Sequence, residues 1–190
     1  MQAWLALAFA LLAHPSFAQG ITLEIRAFDG GTDVSEATRV IVHRAGQREQ
    51  PVAQITTGAT RTAKVAPGIY DAQAIHEQAG RVVHIRWAER LVVMPYPDEG
   101  GHHLEVINFQ NGYGALEIRG ADARRPEIDV ALFAANEHGQ PAAAPIRSAN
   151  YALFVVRAGA YDIFLKRAQR GGWHPGIDVP LDRTRLWIVP

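Results

Sequence analysis

The chain has 190 residues, with 19 basic and 19 acidic side chains, eight histidines and no cysteine. A formal net charge of zero gives no electrostatic pull toward nucleic acid or an anionic membrane, and Arg124–Arg125 is the one adjacent arginine pair, so no basic patch can be read. The missing cysteine excludes disulfides, a thiolate nucleophile, a thiolate zinc site and a lipid-modified cysteine.

The first segment, "MQAWLALAFALLAHPSFAQG", holds an apolar run from Ala3 to Ala13. A membrane span needs about 20 such residues, so this run is too short to cross a bilayer. A Pro-Ser turn follows, and Ser16-Phe17-Ala18 puts small residues at the two positions a signal peptidase reads. No Lys or Arg precedes the run, a departure from the usual leader. The expectation is a signal peptide over 1–18, a mature start at Gln19, a periplasmic or secreted protein, and no membrane insertion after cleavage.

After the leader the chain is written twice. "ITLEIRAF" opens the first copy and "GALEIRGA" the second, sharing Leu-Glu-Ile-Arg at 23–26 and 116–119. "RVIVHRAG" and "DVALFAAN" follow as short apolar strands running into turns. Next come "VAPGIYDAQAI" and "VRAGAYDIFLK", which repeat Gly68, Tyr70 and Asp71 as Gly159, Tyr161 and Asp162. Both copies close on Pro and an acidic turn, "VVMPYPDEGGHHLEVINF" and "IDVPLDRTRLWIVP". Four landmarks in one order define a tandem duplication, with expected units over 19–110 and 111–190 separated by the "QNGYGA" turn.

Both copies read as strands. In "ITLEIRA", Ile21, Leu23 and Ile25 fall on one face and Thr22, Glu24 and Arg26 on the other, the alternation of a half-buried strand. In "VVHIRW", Val83, Ile85 and Trp87 oppose Val82, His84 and Arg86, which assigns Trp87 to the core. Short β-branched runs recur between Gly, Pro, Asn and Asp turns, and no window holds helical periodicity. The fold class expected is all-β: two tandem immunoglobulin-like or transthyretin-like antiparallel sandwiches. Gly68 and Gly159 are expected to supply positive φ at a sharp turn. Tyr70 and Tyr161 then place a ring at the core edge with the hydroxyl on a backbone partner, and Asp71 and Asp162 face solvent or the turn amides.

This pattern, an L-E-I-R first strand followed by A-P-G-I-Y-D or R-A-G-A-Y-D and a strand pair, resembles bacterial carboxypeptidase-regulatory-like and PEGA-type modules. Pro67 has no counterpart in the second copy, where Ala158 stands. The resemblance implies a non-catalytic adhesive, scaffolding or carbohydrate-adjacent role and assigns no functional residue.

Candidate sites are few. His102 and His103, near Asp98 and Glu99, suggest a metal, but neighbours on a strand point to opposite faces and a closed site needs about four ligands. No metal or cofactor is expected. Outside the leader only Ser35 and Ser148 offer a serine nucleophile, neither in a Gly-x-Ser-x-Gly setting. His43, His76 and His84 read as polar-face residues. Trp173 in "GGWHPG" and Tyr96 in "MPYPDEGG" read as loop aromatics, fit for ligand binding or for packing between the copies. The function expected is an exported, non-enzymatic structural or protein-binding module of a cell envelope, its partner an envelope protein or glycan of unknown identity. The alternatives are a carbohydrate-binding accessory protein using loop aromatics, and a hydrolase or metal protein with an unrecognised site.

Overall fold

β-branched and aromatic residues alternate with polar ones between Gly, Pro and Asn punctuation, and strands follow almost throughout. The structure, a computed structural model, describes residues 20–58, 61–95, 101–120, 129–149, 151–167 and 170–189. In chain order the first copy contributes β1 (Ile21–Asp29), β2 (Thr32–Asp33), β3 (Thr38–Arg44), β4 (Gln47–Ile55), β5 (Thr62–Val65), β6 (Gly68–Gln78), β7 (Arg81–Val93) and β8 (His102–Asn108). The second contributes β9 (Tyr113–Gly120), β10 (Val130–Ala134), β11 (Ile146–Arg147), β12 (Ala152–Arg157), β13 (Gly159–Arg167), β14 (Arg170–Val179) and β15 (Thr184–Val189). Among the described residues the sole helical turn is the 3-10 turn at Ser35–Ala37.

The protein is an all-β sandwich fold. In the first copy, β2, β1 and β5 form one sheet, to which β8 adds parallel to β1; β4-β3-β6-β7 form the facing sheet. In the second, β11-β12-β9-β15 face β10-β13-β14, and β15 again lies parallel to the opening strand, β9. Each copy is therefore closed by pairing its last strand with its first. The second copy has no described strand matching β4; its 135–145 segment touches β10 through an isolated Leu132–Ala143 bridge.

Each pair of sheets encloses its own core. Leu23, Ile25, Val42, Tyr70 and Leu91 are central to the first, and Leu116, Ile118, Phe154 and Ile163 to the second. A third cluster joins the copies: Phe28, Leu104 and Val106 pack against Ala115, Tyr151, Leu153 and Val155. Fully burying a Leu, Ile or Phe contributes about 1.5–3 kcal/mol, so this junction is part of the folded state rather than a loose contact. The four sheets stack in layers, with the β1 and β9 sheets inside and the β6 and β13 sheets outside.

Three expectations need correction. The strand reading of "ITLEIRA" holds, but its polar face is not solvated: Glu24, Arg26 and Phe28 turn toward the second copy, and every β1 residue is at least half-buried. Val83, Ile85 and Trp87 do not enter the core. Ile85 is 57% exposed, because Glu89 and Arg90 form a bulge opposite Asp71, where the register jumps from Tyr70–Leu91 to Ala72–Ala88; Val83, 45% exposed, is the extra residue of a second shift between His76–His84 and Glu77–Val82. Leu91 and Val93 point inward on one side of that bulge, and the same alternation carried across it lands on the outer face. Gly68 has no positive φ; a Cβ there would meet Arg44 Nη1 at 2.6 Å. Its role is to leave room for that guanidinium, which lies over the Tyr70 ring at 5.0 Å. Gly159 does have positive φ, +155°.

Candidate functional site

The repeated Gly-x-Tyr-Asp element builds the same device in each copy. Tyr70 Oη donates to Ala66 O at 2.6 Å, and Tyr161 Oη donates to Arg157 O at 2.7 Å, each four residues upstream. Burial pushes the Tyr161 phenol up. The neighbouring carboxylates are buried and act as clamps. Asp71 accepts from the backbone amides of Gly46 (3.2 Å) and Arg90 (2.9 Å); Asp162 accepts from those of Asn136 (3.1 Å) and Gly176 (3.0 Å). All four donors have positive φ, from 55° at Arg90 to 75° at Gly46. Each Asp thus ties the turn after one strand to the bulge of another, satisfying amides that the sheet ladder cannot reach.

Burial opposes the charge on Asp71, but the Arg90 and Gly46 amides and the Arg48 guanidinium outweigh it and hold the carboxyl below the usual range. Asp162 is lowered first by the His138 bond, then by the two amides. These cations lead to the aromatic residues. Arg48 bonds Asp71 (Nε to Oδ2, 3.3 Å) and lies 4.1 Å above the Trp87 ring. His138 bonds Asp162 (Nε2 to Oδ2, 2.7 Å) and stacks on Trp173 at 3.8 Å. Trp87 pairs across its hairpin with Gln73, and Trp173 with Phe164, each partner lying two residues beyond the clamping Asp. Trp87 and Trp173 are therefore equivalent positions on the outer faces of the two sandwiches.

The expected site residues fall as follows. Trp173 is on strand β14, not in a loop, because "GGWHPG" continues the β13 hairpin through a bulge at Pro175 and Gly176. It is 43% exposed and rests against Phe133 and Phe164. Tyr96 lies outside the described residues. His102 and His103 both sit on β8 and point to opposite faces. His103 Nε2 meets Glu105 Oε1 at 3.0 Å beside the first core, and its Nδ1 is 3.2 Å from Met94 O. His102 enters the junction between the copies. His43 and His76 are buried rather than surface residues; His43 packs against Trp87, and His76 between His84 and Phe109.

The junction gathers the charges of both Leu-Glu-Ile-Arg motifs. Glu24 pairs with Arg26 at 3.3 Å, and Glu117 with Arg119 at 2.6 Å. His102 joins the pairs: its Nε2 is 2.9 Å from Glu24 Oε2, and its Nδ1 is 2.6 Å from Arg119 Nη2. Tyr151 Oη donates to Glu24 Oε1 at 2.8 Å. Burial and then the Glu24 charge push the Tyr151 phenol well above its usual range. Burial would raise Glu24, but the bonds from His102 and Tyr151, with the His102 and Arg26 charges, lower it. No sequence signal named this cluster beyond the repeat itself.

Beside the junction, a cleft of about 470 Å³ opens between β7, β8 and the turn before β15, lined by Arg86, Glu89, Val106, Asn108, Leu181 and Arg183. Arg86 crosses it to Asp182 at 2.6 Å, and Arg183 donates to Glu89 O at 2.8 Å. Among the described residues no three His, Asp or Glu side chains gather into a metal-holding group, and no helix is long and apolar enough to cross a membrane.

No family model matches the chain, and no curated protein matches it. Among solved structures it is similar to the Bacillus anthracis TIE protein, at 17% identity over 90% of this chain and 34% of that one, with a TM-score of 0.33. The chain thus spans about a third of the length of that protein. It is also similar to a Bacteroides ovatus protein proposed to be an adhesin, at 12% identity over 100% of this chain and 95% of that one, with a TM-score of 0.31. Scores this low carry no argument about activity.

Proposed function

We propose that this chain is an exported, non-enzymatic module that binds another protein of the cell envelope through the outer face of its β4-β3-β6-β7 sheet. One observation carries the reading: that face leaves Val52, Ile69, Val83, Ile85 and Val92 between 41% and 57% exposed, while the inner sheets bury even their charges. Several β-branched residues left in water on one sheet face mark a surface that is covered in use. The leader-like segment at 1–18 supports export, and two sandwiches in tandem suit a spacer that holds such a face away from an anchor.

A photoreactive residue in place of Ile85 or Val92, installed in the cell of origin, tests this. The expected result is a discrete adduct from both positions and none from exposed Lys64 on another sheet, with the adduct lost on Ile85→Lys in the Val92 background. Adducts equally absent from Ile85 and Val92 overturn the reading. Intact mass of the exported protein tests cleavage before Gln19.

A glycan-binding reading is supported by the 43% exposure of Trp173 beside Phe133 and Phe164. It ranks second because His138 already covers one indole face at 3.8 Å, leaving less open ring for a sugar to stack on.

A further inference from the structure

The cleft between β7, β8 and the turn before β15 holds one guanidinium that meets no carboxylate among the described residues. Arg183 Nη2 donates to Glu89 O at 2.8 Å and Nη1 to Asp182 O at 3.0 Å. Both acceptors are backbone carbonyls, which fix the guanidinium in place and leave its charge unpaired. The other charges lining the cleft are paired. Arg86 meets Asp182 Oδ1 at 2.6 Å and also bonds Asn111 Oδ1 and Phe109 O; Glu89 is bonded by Arg48, which Asp71 shares. The cleft is also bounded by strand edges. Its lining runs through consecutive residues, 86–89 of β7 and 106–108 of β8, where a sheet face would contribute alternate ones. Among the described residues β7 pairs only with β6, and β8 only with β1, so each has an edge outside the ladders.

We propose that this cleft captures the C-terminal end of a peptide chain, with Arg183 holding the terminal carboxylate. A guanidinium has five N–H donors, and the two carbonyl bonds leave three of them. A carboxylate takes a parallel pair of such donors. One unpaired cation matches a monoanion; a phosphate group, with about −1.5 to −2 charge, would set its excess against Asp182 and Glu89. The edges of β7 and β8 supply amides and carbonyls for an extended backbone, the mode by which a peptide adds to a sheet. Two edge groups are already met from the second copy: Glu89 O by Arg183, and Val106 N by Thr184 Oγ1 at 2.8 Å. That leaves room for the last residues of a chain rather than a full strand, and the volume of about 470 Å³ is that of a small-ligand pocket. Leu181, 55% exposed at the cleft, gives the terminal side chain an apolar rest. Both copies build the site, so a bound end ties them together across the cleft. The site is separate from the outer face of the β4-β3-β6-β7 sheet, and neither reading depends on the other.

The probe is acetyl-alanyl-alanyl-leucine, added at constant ionic strength to the ¹⁵N-labelled whole chain from Gln19, with its C-terminal amide as the neutral control. The acid should give saturable amide shifts at residues 86–89 and 181–184, and the amide should bind about tenfold more weakly. Arg183→Gln should lose the difference between acid and amide. That loss could also follow from a disturbed joint, so Asp182→Asn supplies a gain. It leaves Arg86 without its carboxylate and puts a second unpaired guanidinium in the cleft, and asparagine keeps the φ of +54°. Affinity for the acid should then rise about three- to tenfold, with the amide unchanged. Three results refute the proposal: no saturable shift from the acid up to about 50 mM, acid and amide binding alike, or Asp182→Asn binding the acid no more tightly. Sodium glucuronate saturating the same residues where the peptide does not would also overturn it, making the ligand an acidic sugar. If Asp182→Asn does not fold, the comparison of acid with amide on the unaltered chain decides.

Discussion

Replacing Asp71 by alanine isolates the clamp from everything else the Gly-x-Tyr-Asp element does. The substitution removes three contacts of unequal worth. The Arg48 ion pair is partly in water, and that guanidinium keeps Glu89 as a partner, so its loss matters little. The two amides matter more. Gly46 and Arg90 have positive φ and lie off the regular ladder, so no neighbouring carbonyl takes over their N–H groups. A buried donor left without an acceptor costs about 1–3 kcal/mol. Allowing water to reach the turn at Gly46, the pair comes to about 3 kcal/mol, or about 6–12 °C in Tm for a chain of this size. Asp71→Asn should cost roughly half, since one oxygen still accepts while the new NH₂ opposes the second amide.

Thermal unfolding followed by circular dichroism at about pH 7 measures this, with Arg48→Gln as the control. The clamp reasoning expects Arg48→Gln to melt close to wild type and Asp71→Ala far below it. If Arg48→Gln matched Asp71→Ala, the ion pair would be the stabilising feature; if Asp71→Ala melted with wild type, the amides would not need the carboxylate. Either result refutes the account.

The two carboxylates also fix an acid response. Asp71 and Asp162 both have folded-state pKa values below the unfolded value, so their contribution is complete above the ordinary carboxylate range near about pH 4 and is lost as pH falls through the folded values; Tm measured below about pH 4 should fall less steeply in Asp71→Ala than in wild type. Gly114→Ala should be the most damaging glycine change, because its Cβ would sit 2.0 Å from Pro180 O, a backbone atom that cannot swing aside; a wild-type melt would refute it. Gly159→Ala meets no atom but must hold φ at +155°, which costs about 1–3 kcal/mol, whereas Gly68→Ala displaces only the end of Arg44 and should cost less; equal melts would undo that ranking. A fragment of residues 111–190 keeps its own core but uncovers Ala115, Tyr151, Leu153 and Val155, so it should fold yet melt below the intact chain, and absence of a cooperative melt would mean the copies share one core.

What could be read from the sequence was local. Leu-Glu-Ile-Arg shows its strand because its period is two, and Gly-x-Tyr-Asp shows its corner because ring, hydroxyl and carbonyl lie within four residues. What could not be read depends on partners distant in the chain. The bulge at Glu89–Arg90 adds one residue to β7 and reverses the face assignments from Ala88 back to His84, until a second register shift at Val83. The same effect hid the equivalence of Trp87 and Trp173: the first lies 16 residues beyond its Asp, the second 11, because the two hairpins differ in length. Only the cross-strand register aligns them. Arg48 and His138 were hidden more deeply, since they share a task but neither residue type nor position in a repeated motif; a guanidinium and an imidazole each bond a carboxylate and lie over an indole.

The corner explains one repeated motif, and the junction explains the other. A duplicated sandwich presents its neighbour with a copy of its own sheet face, and here that face carries Glu and Arg. Burying a lone charge costs several kcal/mol, so such a face would normally stay in water. The spacing solves this within each strand: residues two apart lie on one face, so every Glu brings its own Arg, as the Glu24–Arg26 and Glu117–Arg119 pairs do. Each Glu arrives with a partner of opposite sign on its own strand, so stacking the two faces buries paired rather than lone carboxylates. Two residues outside the motif link the pairs, Tyr151 from the second copy through Glu24 and His102 from the first through Glu24 and Arg119. A tyrosine that stays neutral makes that contact permanent.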